Sequence, residues 1–433
     1  MTLTSAPSGG LGTERPVAPE AFAEPSYVRP LLFAFGGLAL LSLVRIIADA
    51  PELTGGETFI AAIGAMSPIL FAGLGAMFSS RVGVVNIGLE GMMIMGTFFA
   101  GWAGWHWGPW AAIVAGAFGG ALGGLLLAVV TVTFGVDQVV AGIAINLLAP
   151  GVARFLAGEI FANHADGSIT QSPTMSHGIS QFTVPFVAGG SFFGWTTPNP
   201  LRWLDEKRWF LVSDLAAVGR GFTTSLAWTT VLALVLVPLS AYLLWRTPFG
   251  LRLRSVGEKP SAADSLGVAV YRMKYIGVTI SGALAGLGGA WLAIDVRAYN
   301  ENQTAGRGFQ GLAAMIFGNY RPAGIAAGAG LFAFAQSLTQ RLGTAPVRAL
   351  FLLAALAAAG FALVLLYRRR FPQATGTLVL GALALTYYLS ANTVNNQIVF
   401  ITPYVVTLLV LTFASQHLRP PAYEGRPWRK GDL

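Results

Sequence analysis

The sequence predicts an all-α polytopic membrane protein of about twelve helices. Three observations predict it. Of 433 residues, 54% are hydrophobic and only 11% are charged, too few polar side chains to surround a water-soluble core of this size. The apolar residues fall into runs near the roughly 20 residues that a helix needs to cross a hydrocarbon layer about 30 Å thick. The basic residues gather between those runs, as they do in the short cytoplasmic loops of membrane proteins.

The first 29 residues are rich in Pro, Ser, Ala and Glu and lack the basic start and apolar core of a signal peptide. They are expected to form a disordered cytoplasmic tail. Five spans then follow within 30–156: Leu31 to Ala48, Thr58 to Phe78, Ile87 to Trp105, Trp110 to Val132 and Gln138 to Leu156. The polar segment 157–224 carries Trp195, Trp203, Trp209 and several prolines, residues suited to a membrane interface, and is expected outside the cell.

The spans of 225–415 run from Ser225 to Trp245, Tyr275 to Ile294, Phe309 to Phe317, Ala323 to Thr339, Ala345 to Tyr367, Gly376 to Ser390 and Ile401 to Ala414. The run from Phe309 is too short to cross alone. It is either part of a tilted, broken span or re-entrant and supported by surrounding protein. The most basic loop, 246–274, holds Arg246, Arg252, Arg254, Lys259, Arg272 and Lys274. Placing it inside also places Arg81, Arg321, the Arg368 to Arg370 cluster and the tail 416–433 inside. Both termini are then cytoplasmic, in a multi-pass protein of a bacterial inner membrane.

Several function classes are disfavoured. The net charge of +8 sits in loops between spans, so topology explains it better than nucleic-acid binding. With no Cys, and with His only at 106, 164, 177 and 417, no metal-ligand spacing is present. No GxxxxGK followed by Ser or Thr occurs, so any energy from ATP has to come from another subunit. The glycines at 116, 120 and 124, and at 282 and 286, instead have the small-xxx-small spacing that lets helix backbones approach closely.

Three stretches carry more than topology. The first runs Gly83, Val84, Val85, Asn86, Ile87, Gly88, Leu89, Glu90, Gly91. The second runs from Val256 and Gly257 through Glu258, Lys259, Pro260, Ser261, Ala262, Ala263, Asp264 and Ser265 to Gly267. The third begins Thr304, Ala305, Gly306, Arg307, Gly308, Phe309 and ends Gly318, Asn319, Tyr320, Arg321, Pro322. In this order and spacing they resemble the GVVNIGxEG, VGENPxAAxxxGI and TAGRGFIALAAVIFGRWxP signatures of nucleoside and simple-sugar permeases of ATP-binding cassette (ABC) importers. These belong to the superfamily of ribose and branched-chain amino acid permeases.

The resemblance runs from about Pro51 to the end, including Pro403, Tyr404 and the tail residues Glu424 to Trp428. It implies about ten family-type transmembrane helices. The two apolar runs around Arg368 to Arg370 form an additional hairpin with no functional account. It also implies a transport subunit rather than an enzyme, with no cofactor of its own. The expected partners are an ABC ATPase that binds ATP and Mg, a second homologous permease or another copy of this chain, and an extracytoplasmic substrate-binding protein. The NIGxEG form of the first motif favours nucleosides over simple sugars.

In related transporters the segment equivalent to the second stretch docks into a groove on the ATPase. Here Pro260 can occupy the first turn of a short helix and Gly267 can end it. Glu258, Pro260, Ala262, Ala263, Asp264 and Gly267 are thus candidates for an ATPase coupling helix; the alternative is a basic loop that serves topology alone.

Asn86 and Glu90, four residues apart, share one helical face. Either Asn86 caps the third span and Glu90 complements its dipole, or both face the substrate pathway of a discontinuous span. Gln138 and Asn146 recur on one face of an apolar span, where buried amides either bond neighbouring helices or line the cavity. A secondary transporter or channel independent of ATP would also carry such polar groups. A membrane-embedded enzyme is weaker, since no catalytic constellation converges in the spans.

Overall fold

The computed structural model describes residues 28–192, 194–341, 344–390 and 418–430. Most of the N-terminal tail and the span expected from Ile401 to Ala414, with Pro403 and Tyr404, lie outside the described residues. Apolar runs become helices because a backbone in lipid has to satisfy its own N–H and C=O groups. The described residues are accordingly mostly helical.

The long helices are α1 (Val28–Ile47), α2 (Gly56–Arg81), α3 (Leu89–Trp107), α4 (Pro109–Ala128) and α5 (Gln138–Ile160). α4 continues through one turn of π-helix, Val129–Thr133. Asp137 caps α5, its carboxylate accepting from the N–H groups of Val139 at 2.9 Å and Val140 at 3.0 Å. The segment 157–224 holds the short helices α6 (Pro200–Glu206) and α7 (Val212–Gly221). It also holds β1 (Gln181–Phe182), which pairs antiparallel with β4 (Leu226–Ala227) just before α8, and the antiparallel pair β2 (Ser191–Phe192) and β3 (Trp195–Thr196).

The second half comprises α8 (Trp228–Arg246), α9 (Pro248–Glu258), α10 (Pro260–Ser265), α11 (Val270–Val296), α12 (Arg307–Phe317) and α13 (Pro322–Arg341). The hairpin α14 (Thr344–Tyr367) and α15 (Phe371–Ser390) follows. Among the described residues, six helices are long and apolar enough to cross a membrane: α2, α4 with its π turn, α5, α8, α11 and α14.

The central bundle is α11 packed on α4, α3 and α2. Between helices in lipid there is little hydrophobic driving force, so close backbone approach has to supply the contact. The glycine spacing does so: a Cβ on Gly120 would lie 2.6 Å from the Cα of Gly286, and one on Gly124 would lie 2.6 Å from the carbonyl oxygen of Val278. Outside the bundle, Arg45 of α1 pairs at 3.1 Å with the fully buried Asp214 of α7. Arg220 of α7 reaches both Asp205 and Glu57. These ion pairs fasten the segment 157–224 to the end of α1 and the start of α2.

α12 is a half-helix. Its 11 residues span about 16 Å, half the hydrocarbon thickness. The chain leading into it, 297–306, is irregular, with Arg297, Asn302 and Ala305 at positive φ. Its backbone is satisfied by the segment 157–224. Ser172 N–H donates to Tyr299 O at 3.0 Å, Met175 N–H to Arg297 O at 2.7 Å, and Glu301 N–H to Thr170 O at 2.8 Å. The run from Phe309 is therefore supported by protein on the side where it leaves the helical ladder.

In the hairpin, α14 and α15 pack on each other, with the Phe351 and Tyr387 rings 4.5 Å apart. Leu363, Leu380, Leu383 and Leu389 face outward. This suits a peripheral packing element.

Candidate functional site

The loop between α2 and α3 is the start of the site. Gly83 turns it at φ +78°, where a Cβ would sit 3.1 Å from Tyr423 O. The loop backbone is then taken up by α5. Val85 N–H donates to Gln138 Oε1 at 2.7 Å. Asn146 donates from Nδ2 to Ile87 O at 2.9 Å and accepts at Oδ1 from Gly91 N–H at 2.8 Å. Gly142, between them, brings the backbones together: a Cβ there would be 2.9 Å from Gly88 N. The face of Gln138, Gly142 and Asn146 is thus a clamp on the NIGLEG loop.

Asn86 does not cap α3, whose cap position is Gly88. Its Nδ2 donates instead to Ser281 Oγ of α11 at 2.9 Å, and its buried Oδ1 has no hydrogen-bond partner.

Glu90 lies in the first turn of α3 and is buried, but its carboxylate serves a different helix. Oε1 accepts from Gly306 N–H at 2.9 Å and Oε2 from Gly308 N–H at 2.7 Å. The carboxylate caps the N-terminus of the half-helix α12, where free N–H groups and the positive end of the helix dipole favour an anion. Gly308 permits the approach, since a Cβ there would lie 2.6 Å from the Cα of Glu90. The first and third sequence motifs are therefore two halves of one structure. Gly306, at φ +79°, opens α12, and Phe309 is exposed.

Arg307 Nη1 donates back to Gln303 O at 3.0 Å and Thr304 O at 3.2 Å. Gln310 lies one turn along α12 from Arg307, and Gln303 lies in the irregular segment before the helix, where its carbonyl accepts from Arg307. Gln303 Nε2 and Gln310 Oε1 are buried without a hydrogen-bond partner. Sequence reasoning missed these two; for Gln310 the signal was available as a lone amide one turn after Arg307 in the apolar helix that follows.

The second motif forms two short helices at the end of the bundle that also holds Arg81 and Arg321. Pro260 opens α10 at its first position. Gly267, at φ +81°, closes it. Val268 N–H donates to Ala263 O at 3.0 Å and Gly267 N–H to Asp264 O at 2.9 Å, the paired bonds of a Schellman motif. Pro260 and Ala263 are buried, Ala263 in an apolar cluster with Val256, Val270 and Trp428. Ala262, Ser265, Leu266 and Gly267 face outward, Leu266 at 85% exposure. The C-terminal segment straps this loop down: Tyr423 N–H donates to Gly257 O at 2.9 Å and Ala422 N–H to Glu258 Oε2 at 3.1 Å.

A family model for the permease component of the branched-chain amino acid transport system matches residues 58–356, from α2 into α14. The chain belongs to this family. The permease is also 37% identical, over 281 residues, to the guanosine ABC transporter permease protein NupQ of Bacillus subtilis and to the nucleoside ABC transporter permease protein NupC of Lactococcus lactis. Each alignment covers 63% of the permease and 78% of the relative. The guanosine ABC transporter permease protein NupP of Bacillus subtilis is 24% identical over 318 residues, covering 68% of the permease and 80% of NupP. No solved structure matches the permease. With this membership and its apolar helices, the chain is a multi-pass membrane transport subunit and not an enzyme.

Proposed function

We propose that the chain is the permease subunit of an ABC importer that carries nucleosides into the cytoplasm by alternating access. The carrying observation is the joint presence of the three motifs and 37% identity to permeases named for guanosine and nucleoside transport. Its partners are an ABC ATPase, which binds ATP and Mg, an extracytoplasmic binding protein and a second permease. Two guanosine permeases from one organism, NupQ and NupP, support a heterologous second permease over another copy of this chain.

The chemistry of the half-helix supports a neutral cargo. Its N-terminal N–H groups, which would otherwise attract an anionic solute, are already occupied by Glu90. The unpartnered amide atoms of Asn86, Gln303 and Gln310 offer acceptors and a donor suited to ribose hydroxyls and base edges. We assign the pathway contacts to these three residues and to the scaffold held by Glu90, Gln138 and Asn146. The outward face of α10, with Leu266 at its tip, is the ATPase contact, and both termini lie on that cytoplasmic side together with the basic loop 246–274. The outer segment 157–224 faces the binding protein.

The test is uptake of labelled uridine and guanosine in cells lacking this chain and in complemented cells, with excess unlabelled ribose and an ATPase-dead partner as controls. Loss on deletion and ATPase-dependent rescue, unaffected by ribose, is expected. Unchanged nucleoside uptake on deletion would move the cargo to a simple sugar, and rescue with the dead ATPase would overturn the ABC assignment.

A further inference from the structure

A cleft of about 700 Å³ lies at the end of the bundle that carries the coupling loop. Three guanidinium groups line it from distant parts of the chain: Arg81 at the end of α2, Arg321 in the turn between α12 and α13, and Arg419 in the C-terminal segment. Among the described residues, Glu258 is the one acidic side chain in its lining. Arg81 donates through Nη2 to Tyr320 O at 2.7 Å, but its buried Nε has no partner. None of the three arginines forms an ion pair among the described residues. Glu258, and Glu424 beside Arg81, offset only part of this charge, and with Arg254 at the rim the cleft stays positive, so an anionic occupant lowers the free energy of the arrangement.

The fourth wall identifies the kind of anion. Trp245, the penultimate residue of α8, lines the cleft, and Arg81 and Arg254 lie over its ring at 5.2 and 5.6 Å. Behind it on α8, Val235, Leu239 and Tyr242 are exposed at the i, i+4, i+7 spacing of one apolar stripe. Tryptophan at the end of a lipid-facing helix marks the boundary between headgroups and acyl chains. The cleft thus joins a polar cationic chamber to an apolar track, which suits an amphiphile with a phosphate at one end. Guanidinium groups bind phosphate in paired hydrogen bonds.

We propose that this cleft is a binding site for the phosphate of an anionic phospholipid, with the acyl chains lying along the outer stripe of α8. The site ties the α2 end, the α12–α13 turn and the C-terminal segment to the membrane surface beside the coupling loop. It rests on the assignment of this end of the bundle to the cytoplasmic surface, but not on the identity of the cargo.

The experiment uses the purified full-length permease in detergent, without ATPase or nucleoside. Phosphatidylglycerol, phosphatidylcholine and inorganic phosphate are added separately, and retained lipid is read by native mass spectrometry beside the thermal midpoint. The double variant R321Q/R419Q removes two exposed charges and leaves the hydrogen bond from Arg419 N–H to Asn319 in place. R368Q/R370Q, in the distant α14–α15 turn, is the charge-matched control. Retention of phosphatidylglycerol over phosphatidylcholine is expected, with affinity about thirtyfold weaker in R321Q/R419Q and unchanged in the control. Equal retention of the two lipids, or undiminished phosphatidylglycerol binding in R321Q/R419Q, would overturn the site. Stabilisation by inorganic phosphate equal to that by phosphatidylglycerol would overturn the lipid as its ligand.

Discussion

Glu90 is the residue on which two helices depend. Its two carboxylate oxygens satisfy two N–H groups of α12 that have no other acceptor in the helical ladder. Glu90→Ala leaves both donors buried and unpaired, at a cost of about 1–3 kcal/mol each. Glu90→Gln retains one acceptor oxygen but turns an NH2 group toward the second donor and removes the charge from the helix end. We expect a lowered thermal midpoint and lost uptake in Glu90→Ala, with Glu90→Gln between it and the unchanged protein. Wild-type unfolding and uptake in both variants would show that the contact with α12 is dispensable.

At the scale of the element, α10 is built to be rigid. Six residues make a marginal helix in water, so its definition comes from Pro260 at one end, the Schellman motif at Gly267 at the other and Ala263 packed beneath. Ala263 and Gly267 are both candidates for the coupling helix, but the two differ. A side chain larger than Ala263 would overpack the cluster beneath the helix, whereas Gly267 has open space around it and Leu266 projects outward. Leu266→Glu is expected to abolish stimulation of the partner ATPase while insertion and thermal stability stay unchanged. Ala263→Leu is expected to lower stability as well. ATPase stimulation by Leu266→Glu at the wild-type level would remove α10 as the contact.

Across the whole molecule, the C-terminal segment joins parts of the fold that are far apart in sequence. Glu424 lies beside Ser80, Tyr320 and Arg81, and burial raises its carboxyl above the ordinary 4.5; the hydrogen bonds of Ser80 and Tyr320 and the charge of Arg81 only partly oppose this. A raised folded-state value means that the docked segment holds its proton more tightly than the released one. Docking is thus most favourable below the ordinary carboxyl range and weakens as pH rises through the interval up to the raised value. Glu424→Gln, which cannot ionise, should remove that dependence and strengthen docking at neutral pH. Hydrogen exchange of 418–430 as a function of pH measures it, and identical pH profiles for the two proteins would contradict the role of Glu424.

The sequence by itself determined the class of the molecule and much of its local architecture. Hydropathy marked the apolar helices, small-residue spacing marked the seam between α4 and α11, and Pro260 with Gly267 marked both ends of α10. These features are written within one or two turns of chain, because solvent preference and backbone freedom are local properties. Tertiary structure decided the partners. Glu90 meets Gly306 across 216 positions, Asn86 meets Ser281 across 195, and Gln138 and Asn146 meet the loop before α3 across more than fifty. A buried polar group states only that it needs a partner; which partner it receives depends on how helices stack, and no local pattern carries that.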